Sequence, residues 1–326
     1  RIDISIMDEA QPRWLAFLGN DLDFVLVPPD FVPKALPNGK PPMELQKRGI
    51  VHHQFVAPST YYAYFNLDDP LVGGYTPEKI ALRRAIILGY RLDEDIAQVN
   101  FGQAVAARGP LSPGVAGYDP QFKTNAGYDP ALAKALLDRY GYKDINGDGY
   151  RETPDGKPMV IQKGSTPTSQ DQVTDEIWKR SMDAIGIKME FTKAKWPDLV
   201  KSARLGKLPM WNVGWAAQIP DGDSYLQLLY GPNKNANNLS RFDLPAFNQR
   251  YEKARELPPG KERDQLYKEM AWLTAGYGVW HMGIHRIDNY LIQPWLLGFK
   301  EHPFSTHAFK FLDIDLTKKQ PQGTQP

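Results

Sequence analysis

The sequence predicts an α/β fold with two lobes, and three features lead to that prediction. Apolar runs with strand periodicity alternate with amphipathic helical runs, most clearly between residues 159 and 191. The 326 residues are enough for two hydrophobic cores, and 42% hydrophobic with 24% charged residues is ordinary for a globular chain. A helix between two strands implies a parallel strand pair, so we expect the second lobe to be α/β like the first.

The residues up to 88 are expected to form part of the first lobe. Ile2, Ile4 and Ile6 alternate with polar residues as in a half-buried strand. Residues 12–18 favour a helix, and residues 22–27 favour a second strand.

A strand with one polar aromatic face comes next. Within residues 61–67, one face of the strand carries Tyr62, Tyr64 and Asn66. We expect this face to meet solvent or a cleft. Thr76 is expected to cap a helix that begins at Pro77.

The elements of the second lobe follow from the same periodicities. Asp129 is expected to cap a helix that begins at Pro130. The other predicted elements are strands at 159–162, 187–191 and 210–215 and helices at 173–185, 196–205, 244–255 and 260–273.

Composition and motifs exclude several classes of function. Lysine plus arginine total 39 and aspartate plus glutamate total 38, so a net charge of +1 gives no basis for binding nucleic acid. Cysteine is absent, which excludes disulfides and cysteine nucleophiles. Phosphate loops, Rossmann fingerprints and serine-hydrolase elbows are also absent, so we expect a protein that is not an enzyme and that needs no cofactor.

The stretch from Met210 to Tyr225 is the strongest candidate for a binding site. A short strand here runs into a loop rich in glycine and proline, and strand ends of this kind often carry binding groups. A tryptophan-rich core strand followed by a plain surface turn is an equally good interpretation of the composition alone. The stretch carries aromatic faces, amides and carboxylates, namely Trp211, Trp215, Asn212, Gln218, Asp221 and Asp223.

The same stretch resembles a known family. Gly214-Trp215, followed by Asp221 and Tyr225, is similar to the Gly-Trp-x-x-Asp-x-x-Asp-Pro segment of the dipeptide- and oligopeptide-binding proteins. These are the extracellular solute-binding proteins of family 5, which supply ABC importers. The similarity continues in order through Phe65-Asn66-Leu67, residues 80–86, residues 128–142 and residues 238–247.

The resemblance implies a two-lobed fold like that of type II periplasmic binding proteins. It further implies that the chain is the carboxy-terminal portion of such a protein, with the amino-terminal part of the first lobe missing. Residues 1–88 and 290–326 are then expected to form the partial first lobe, and residues 89–289 the second α/β lobe.

The resemblance also implies a function in transport. We expect a monomeric extracytoplasmic protein that captures a peptide-like or other polar organic solute in an interlobe cleft and delivers it to the membrane subunits of an ABC importer. The location would be periplasmic or extracellular, with membrane attachment where there is no periplasm. The expected ligand contacts are Tyr62, Asn66, Trp211, Trp215, Gln218, Asp221, Asn238 and Arg241.

One position sets an expectation about the ligand. In peptide-binding members of the family, an aspartate that follows the Gly-Trp pair after two intervening residues binds the amino terminus of the peptide. The same spacing leads here to Gln218. A buried ammonium group needs a carboxylate partner, so we expect peptides with a free amine to bind weakly.

Three other interpretations follow from residue spacing alone, and each is less favoured. Asp221 and Asp223 are candidates for the paired carboxylates of a secreted glycan hydrolase. The residues from Asp144 to Asp155 follow a calcium-loop pattern, but the final ligand is shorter than the usual glutamate and such turns form without an ion. His281 and His285 have the spacing of metal ligands only on a helix. Gly283 lies between them and the flanking residues are typical of an extended strand, so we expect no metal site.

Overall fold

The computed structural model describes residues 1–7, 9–124, 127–300, 303–304 and 308–319. The chain divides into two compact units. Unit 1 contains residues 1–57, 100–104 and 286–326, and unit 2 contains residues 58–99 and 105–285.

The helices and strands of the described residues alternate along much of the chain. The helices are α1 (Ala10–Leu18), α2 (Val32–Ala35), α3 (Met43–Lys47), α4 (Pro77–Gly89), α5 (Leu92–Glu94), α6 (Pro130–Arg139), α7 (Ser169–Asp183), α8 (Trp196–Arg204), α9 (Asp223–Leu226), α10 (Pro245–Glu256) and α11 (Lys261–Gly276). The strands are β1 (Phe24–Leu26), β2 (Val51–Val56), β3 (Ser59–Phe65), β4 (Ala104–Ala106), β5 (Val160–Ser165), β6 (Lys188–Lys193), β7 (Met210–Ala216), β8 (Trp280–Ile292), β9 (Leu296–Leu297) and β10 (Asp313–Ile314).

Unit 1 is built around the last part of β8. Strands β1 and β2 both pair with it in antiparallel fashion, β1 from Phe24 opposite Ile292 and β2 from Val51 opposite the same residue. The small core beneath these strands includes Trp14, Phe17, Val25, Val27, Leu45 and Leu291.

Unit 2 is a mixed sheet with helices packed against it. Strand β3 pairs antiparallel with β7 on one side and with the first part of β8 on the other. Strands β5 and β6 run parallel to each other, and β5 also runs parallel to β7. Helix α7 connects β5 to β6, so the predicted parallel pair with a helical crossover is confirmed.

Most elements predicted from periodicity are present within a few residues of the expected bounds. The cap of α6 is also confirmed, since the Asp129 carboxylate accepts a hydrogen bond from the backbone N–H of Leu132 at 2.9 Å. The predicted first strand is wrong. Residues 1–7 form no strand, and Ile2, Ile4 and Ile6 are 59%, 77% and 91% exposed. Alternation produces a strand only where a neighbouring strand takes up its backbone hydrogen bonds.

The compact units are bounded differently from the predicted lobes. We expected the first lobe to extend to residue 88, but β3 and α4 belong to unit 2. They do so because β3 is paired along its whole length with β7, and α4 packs against α6 and the core below the sheet. The lobe bounds at 88/89 and 289/290 therefore stay a prediction about the whole protein.

Within the described residues, no helix combines the length and the hydrophobicity that a membrane crossing requires.

Candidate functional site

The register of unit 2 shows which side chains share a face with the candidate strand β7. Directly opposite residues on paired strands lie on the same side of a sheet. Thr60 is opposite Trp215, and Tyr64 is opposite both Trp211 and Trp280. We call this side the aromatic face; it carries Thr60, Tyr62, Tyr64, Trp211, Val213, Trp215, Trp280 and Met282.

Tyr62 and Trp211 are packed inside unit 2. The ring of Tyr62 stacks on that of Trp280 with centroids 3.7 Å apart, and Tyr62 is 6% exposed. Trp211 is 2% exposed, and its ring centroid lies 4.7 Å from that of Trp196. Burial raises the pKa of Tyr62 well above its ordinary value, so the hydroxyl stays neutral. The expectation that this face of β3 meets solvent or a cleft is wrong for Tyr62 and Tyr64, because large rings cover the middle of the sheet.

Asn66 and Arg241 share neighbours and hold two loops together. The Asn66 amide donates to the Gly206 carbonyl at 2.9 Å and accepts from the Asp68 N–H at 3.1 Å. Arg241 donates to the Asp68 carboxylate at 2.7 Å, and its side chain lies over Gly206, where an added Cβ would come within 3.1 Å of the Arg241 Cδ. Both side chains are therefore engaged in connecting these loops.

Asn238 is fully buried and uses the whole of its amide. Its Nδ2 donates to the carbonyls of Tyr230 at 3.0 Å and Phe242 at 2.8 Å. Its Oδ1 accepts from the Ser240 hydroxyl at 3.1 Å and from the Phe242 N–H at 3.3 Å. An asparagine with both donors and both acceptor positions occupied has no capacity left for a ligand in this conformation.

Asp221 is also fully engaged. Its carboxylate forms an ion pair with Arg263 at 3.1 Å and accepts a hydrogen bond from the Tyr267 hydroxyl at 2.7 Å. The side chains of Asp221 and Arg263 are each 15% exposed. The carboxylate also accepts the N–H of Asp223 at 2.9 Å, which closes the turn before α9. The hydrolase interpretation is therefore unsupported, because a carboxylate held by arginine and tyrosine is not free for acid–base chemistry.

Trp215 and Gln218 differ from these residues because they retain unused hydrogen-bonding capacity. The indole Nε1 of the partly buried Trp215 is enclosed and has no hydrogen-bond partner among the described residues. Gln218 is exposed, and among the described residues its amide donates to the Ala216 carbonyl alone, at 3.3 Å. These two groups lie at the end of β7, where the strand runs into its loop.

Asn212 was not in the predicted set, although the structure leaves its side-chain oxygen unpaired. The Oδ1 atom is buried and has no partner within the described part of the chain. Asn212 is opposite Ala63 and so points away from the aromatic face. The alternation of side chains along β7 is enough to predict that Asn212 and Trp215 lie on opposite faces of the sheet. Only the packing shows that the Asn212 side-chain oxygen is unpaired.

The two histidines of β8 do not form a joint metal site. His281 is opposite Ala63, and its ring lies edge-on to Tyr90 and Trp178. Burial lowers the pKa of His281 to about 4. His285 is on the aromatic face, with its Nδ1 3.0 Å from the carbonyl oxygen of Ser59. Residues four apart in a regular strand share a face, so it is the extra residue of β8 between His281 and His285 that sends the two rings to opposite sides of the sheet.

The calcium-like segment is a turn that is closed by its own hydrogen bonds. The Asp144 carboxylate accepts from the N–H groups of Gly147 at 2.7 Å and Gly149 at 2.9 Å. Asp155 pairs with the ammonium group of Lys157 at 2.6 Å, and this contact lowers the pKa of Asp155 to about 2. Within the residues described, no group of three or more histidine, aspartate or glutamate side chains is placed to hold a metal ion.

Comparison with known proteins gives one family. The model described as "Bacterial extracellular solute-binding proteins, family 5 Middle" matches residues 1–237. Heme-binding protein A of Haemophilus influenzae is 25% identical over 97% of this chain and 54% of its own length. Di/tripeptide-binding protein 2 of Pseudomonas aeruginosa is 26% identical over 72% of this chain and 42% of its own length. The chain therefore spans about half the length of these relatives.

Solved structures agree on the fold. The oligopeptide-binding protein AppA of Bacillus subtilis, in complex with a nonapeptide, matches 95% of this chain and 59% of its own with a TM-score of 0.79 and 16% identity. NikA of Brucella suis, in complex with Fe(III)-EDTA, matches 96% of this chain and 61% of its own with a TM-score of 0.77 and 19% identity. At these identities the likeness shows a shared binding-protein fold and nothing about the ligand.

Proposed function

Because this chain belongs to the bacterial extracellular solute-binding proteins of family 5, we propose that it takes part in capturing a polar organic solute outside the cytoplasm for an ABC importer. The chemistry is binding alone. Aromatic rings supply contact area, and a few unpaired polar groups give specificity. A cofactor has no part in this proposal.

One observation supports the end of β7 as the ligand-contacting part of unit 2. Trp215 and Gln218 carry hydrogen-bonding groups without full partners in the described structure, whereas the polar groups of Asp221 and Asn238 are taken up by the fold. A buried polar atom without a partner is costly and calls for an explanation. A solute that forms hydrogen bonds with the Trp215 indole N–H and the Gln218 amide would explain why these groups lack partners here. The other predicted contacts stay predictions, and in this structure their side chains are packed or bonded within unit 2, where they would support the site: Tyr62, Asn66, Trp211, Asp221, Asn238 and Arg241.

We further propose that the solute lacks a free ammonium group at the position next to Gln218. An exposed amide offers no negative charge to an ammonium group that becomes enclosed on binding. Asp221 does not supply that charge, because Arg263 already neutralises it. A modified peptide, a sugar derivative or another uncharged polar molecule therefore fits better than a free di- or tripeptide.

Titration calorimetry with a mixed peptide library tests this ligand class. We expect weak binding of peptides with free amines and a gain in their affinity in the variant Gln218→Asp, which restores a carboxylate. Gln218→Glu is a matched control, because it adds the same charge on a longer side chain. Micromolar binding that disappears when the peptides are N-acetylated would contradict the proposal.

The partners follow from the same membership. We propose that the chain acts as a monomer in the periplasm, or attached to the membrane in cells without a periplasm, and meets the membrane subunits of an importer. Since the relatives are about twice as long, we also propose that it works with an amino-terminal portion of the same protein. Intact-mass measurement of the protein purified from its source, with light scattering for the oligomeric state, tests both points.

A further inference from the structure

A β-bulge interrupts the pairing of β3 with β8 in unit 2. Tyr62 is opposite Met282, but its neighbour Tyr61 is opposite Ile284, so Gly283 is an extra residue in β8. A Cβ at Gly283 would lie 2.7 Å from the carbonyl oxygen of Tyr61, and only glycine allows so close an approach. Bulges of this kind redirect side chains and are frequent beside functional sites.

The bulge determines which side chain of β8 stands beside Thr60. In an uninterrupted ladder the residue opposite Thr60 would be Ile284. With the extra residue, His285 takes that place, and its Nδ1 lies 3.4 Å from the Thr60 hydroxyl oxygen. A one-residue shift reverses the direction of every later side chain, so the bulge places His285 on the aromatic face beside Thr60 and Trp215.

The surroundings of His285 define its tautomer. Its Nδ1 is 3.0 Å from the Ser59 carbonyl oxygen, which can only accept a hydrogen bond, so Nδ1 carries the proton. Burial lowers the pKa of His285 and keeps the ring neutral. The Nε2 atom is then a bare acceptor. It is enclosed in a residue that is 1% exposed, and the described residues offer it no donor.

An unpaired donor stands on the other side of Thr60. Trp215 is directly opposite Thr60 on β7, and its Nε1–H has no acceptor within the described residues. The backbones of β7 and β8 are separated here by β3, that is by about 10 Å. The His285 ring contacts the Thr60 hydroxyl and lies edge-on to the ring of Tyr118, and both of these side chains are uncharged.

We propose that Trp215 and His285 form a recognition subsite for an uncharged polar group of the solute, such as a carboxamide or a pair of hydroxyls. The acceptor oxygen of this group takes a hydrogen bond from the Trp215 indole, and its donor gives one to the His285 Nε2. A charged group is disfavoured because Thr60 and Tyr118, which contact His285, carry no charge to balance it after desolvation. The inference rests on the proposed solute-binding function and names the chemistry of one part of the ligand.

The test uses the whole protein with two probes, N-acetyl-dialanine amide, which is uncharged, and dialanine, which is a zwitterion. Trp215→Phe removes the indole donor and keeps an aromatic ring. His285→Asn keeps a donor for the Ser59 carbonyl and removes the Nε2 acceptor. Trp272→Phe is the matched control, because Trp272 is a half-exposed tryptophan of α11.

We expect the uncharged probe to bind, and each of the two site variants to weaken it by about tenfold or more, while the control leaves it unchanged. In protein with ¹⁵N-labelled imidazole rings, the Nε2 resonance of His285 should start at a value typical of an unprotonated nitrogen and move as the probe saturates. No saturable heat with the uncharged probe, or equal affinity in the site variants and the control, would overturn the subsite. Nickel binding to the wild type that is lost in His285→Asn would also overturn the subsite.

The outcomes separate this inference from the proposed function. If dialanine binds equally well to the wild type and both site variants, solute capture stands and the subsite is wrong. If neither probe nor the mixed peptide library binds the folded protein, solute capture itself is wrong.

Discussion

Two groups of predicted ligand contacts in unit 2 have very different roles in the structure. Asn66, Asp221, Asn238 and Arg241, which we call the anchored set, have their side-chain hydrogen-bonding groups occupied by other residues of the fold. Trp215 and Gln218, the open set, keep groups without full partners at the end of β7. An amide or a carboxylate in a loop therefore marks a ligand contact only when its bonding capacity is not already used by the fold.

The largest effect is expected at Asp221. Replacing Asp221 by alanine leaves the largely buried Arg263 without its counter-charge and the Tyr267 hydroxyl without its acceptor, which should lower the free energy of unfolding by about 3–5 kcal/mol. Urea denaturation measures this loss. Glu256→Ala, at an exposed position at the end of α10, is the control and should change stability little. A variant with wild-type stability and weakened solute binding would move Asp221 into the open set.

Acidification is expected to lower the free energy of unfolding by a similar amount, through the buried His281 of unit 2. The pKa of His281 is lowered from 6.5 to about 4 by burial. Between about pH 6.5 and about pH 4, the unfolded chain binds a proton at His281 and the folded chain does not. The free energy of unfolding therefore falls as the pH is lowered through this range, by an amount on the order of 3 kcal/mol. His281→Phe should reduce this slope, and an unchanged slope in that variant would show that other groups cause it.

A somewhat smaller loss is expected at Asn238. Its replacement by alanine removes four hydrogen bonds from a fully buried position, and the groups left unpaired should cost about 2–3 kcal/mol of stability. The neighbouring variant Asn237→Ala serves as the control in the same loop. Equal unfolding midpoints for the two variants would break the distinction between the two sets.

The smallest effect on stability is expected in the open set. Gln218 is exposed, and its side chain makes one long hydrogen bond within the described part of the chain. Gln218→Ala should therefore change the free energy of unfolding by less than about 0.5 kcal/mol. The affinity for the solute should nevertheless fall, because the amide is lost from the binding surface. A clear drop in thermal stability without ligand would show that Gln218 supports the fold instead.

The elements of unit 2 could be predicted from local patterns. The parallel pair β5–β6, the helix α7 between them and the cap at Asp129 follow from side-chain periodicity and capping chemistry, which act over a few residues. The failed strand at residues 1–7 marks the limit of this reasoning, because its alternation is present but no pairing accompanies it.

The sequence is sufficient to predict the α/β class, the order of the elements, the absence of cysteine chemistry and the similarity to a family of solute-binding proteins. The tertiary structure alone decided which polar groups remain unpaired. Asp221 and Gln218 lie three positions apart in one loop, yet a distant arginine and tyrosine occupy the first and not the second. The same holds for His285, whose place beside Thr60 depends on one extra residue in the pairing of β3 with β8. Hydrogen-bond partners come from segments far apart in the chain, so local patterns do not contain them.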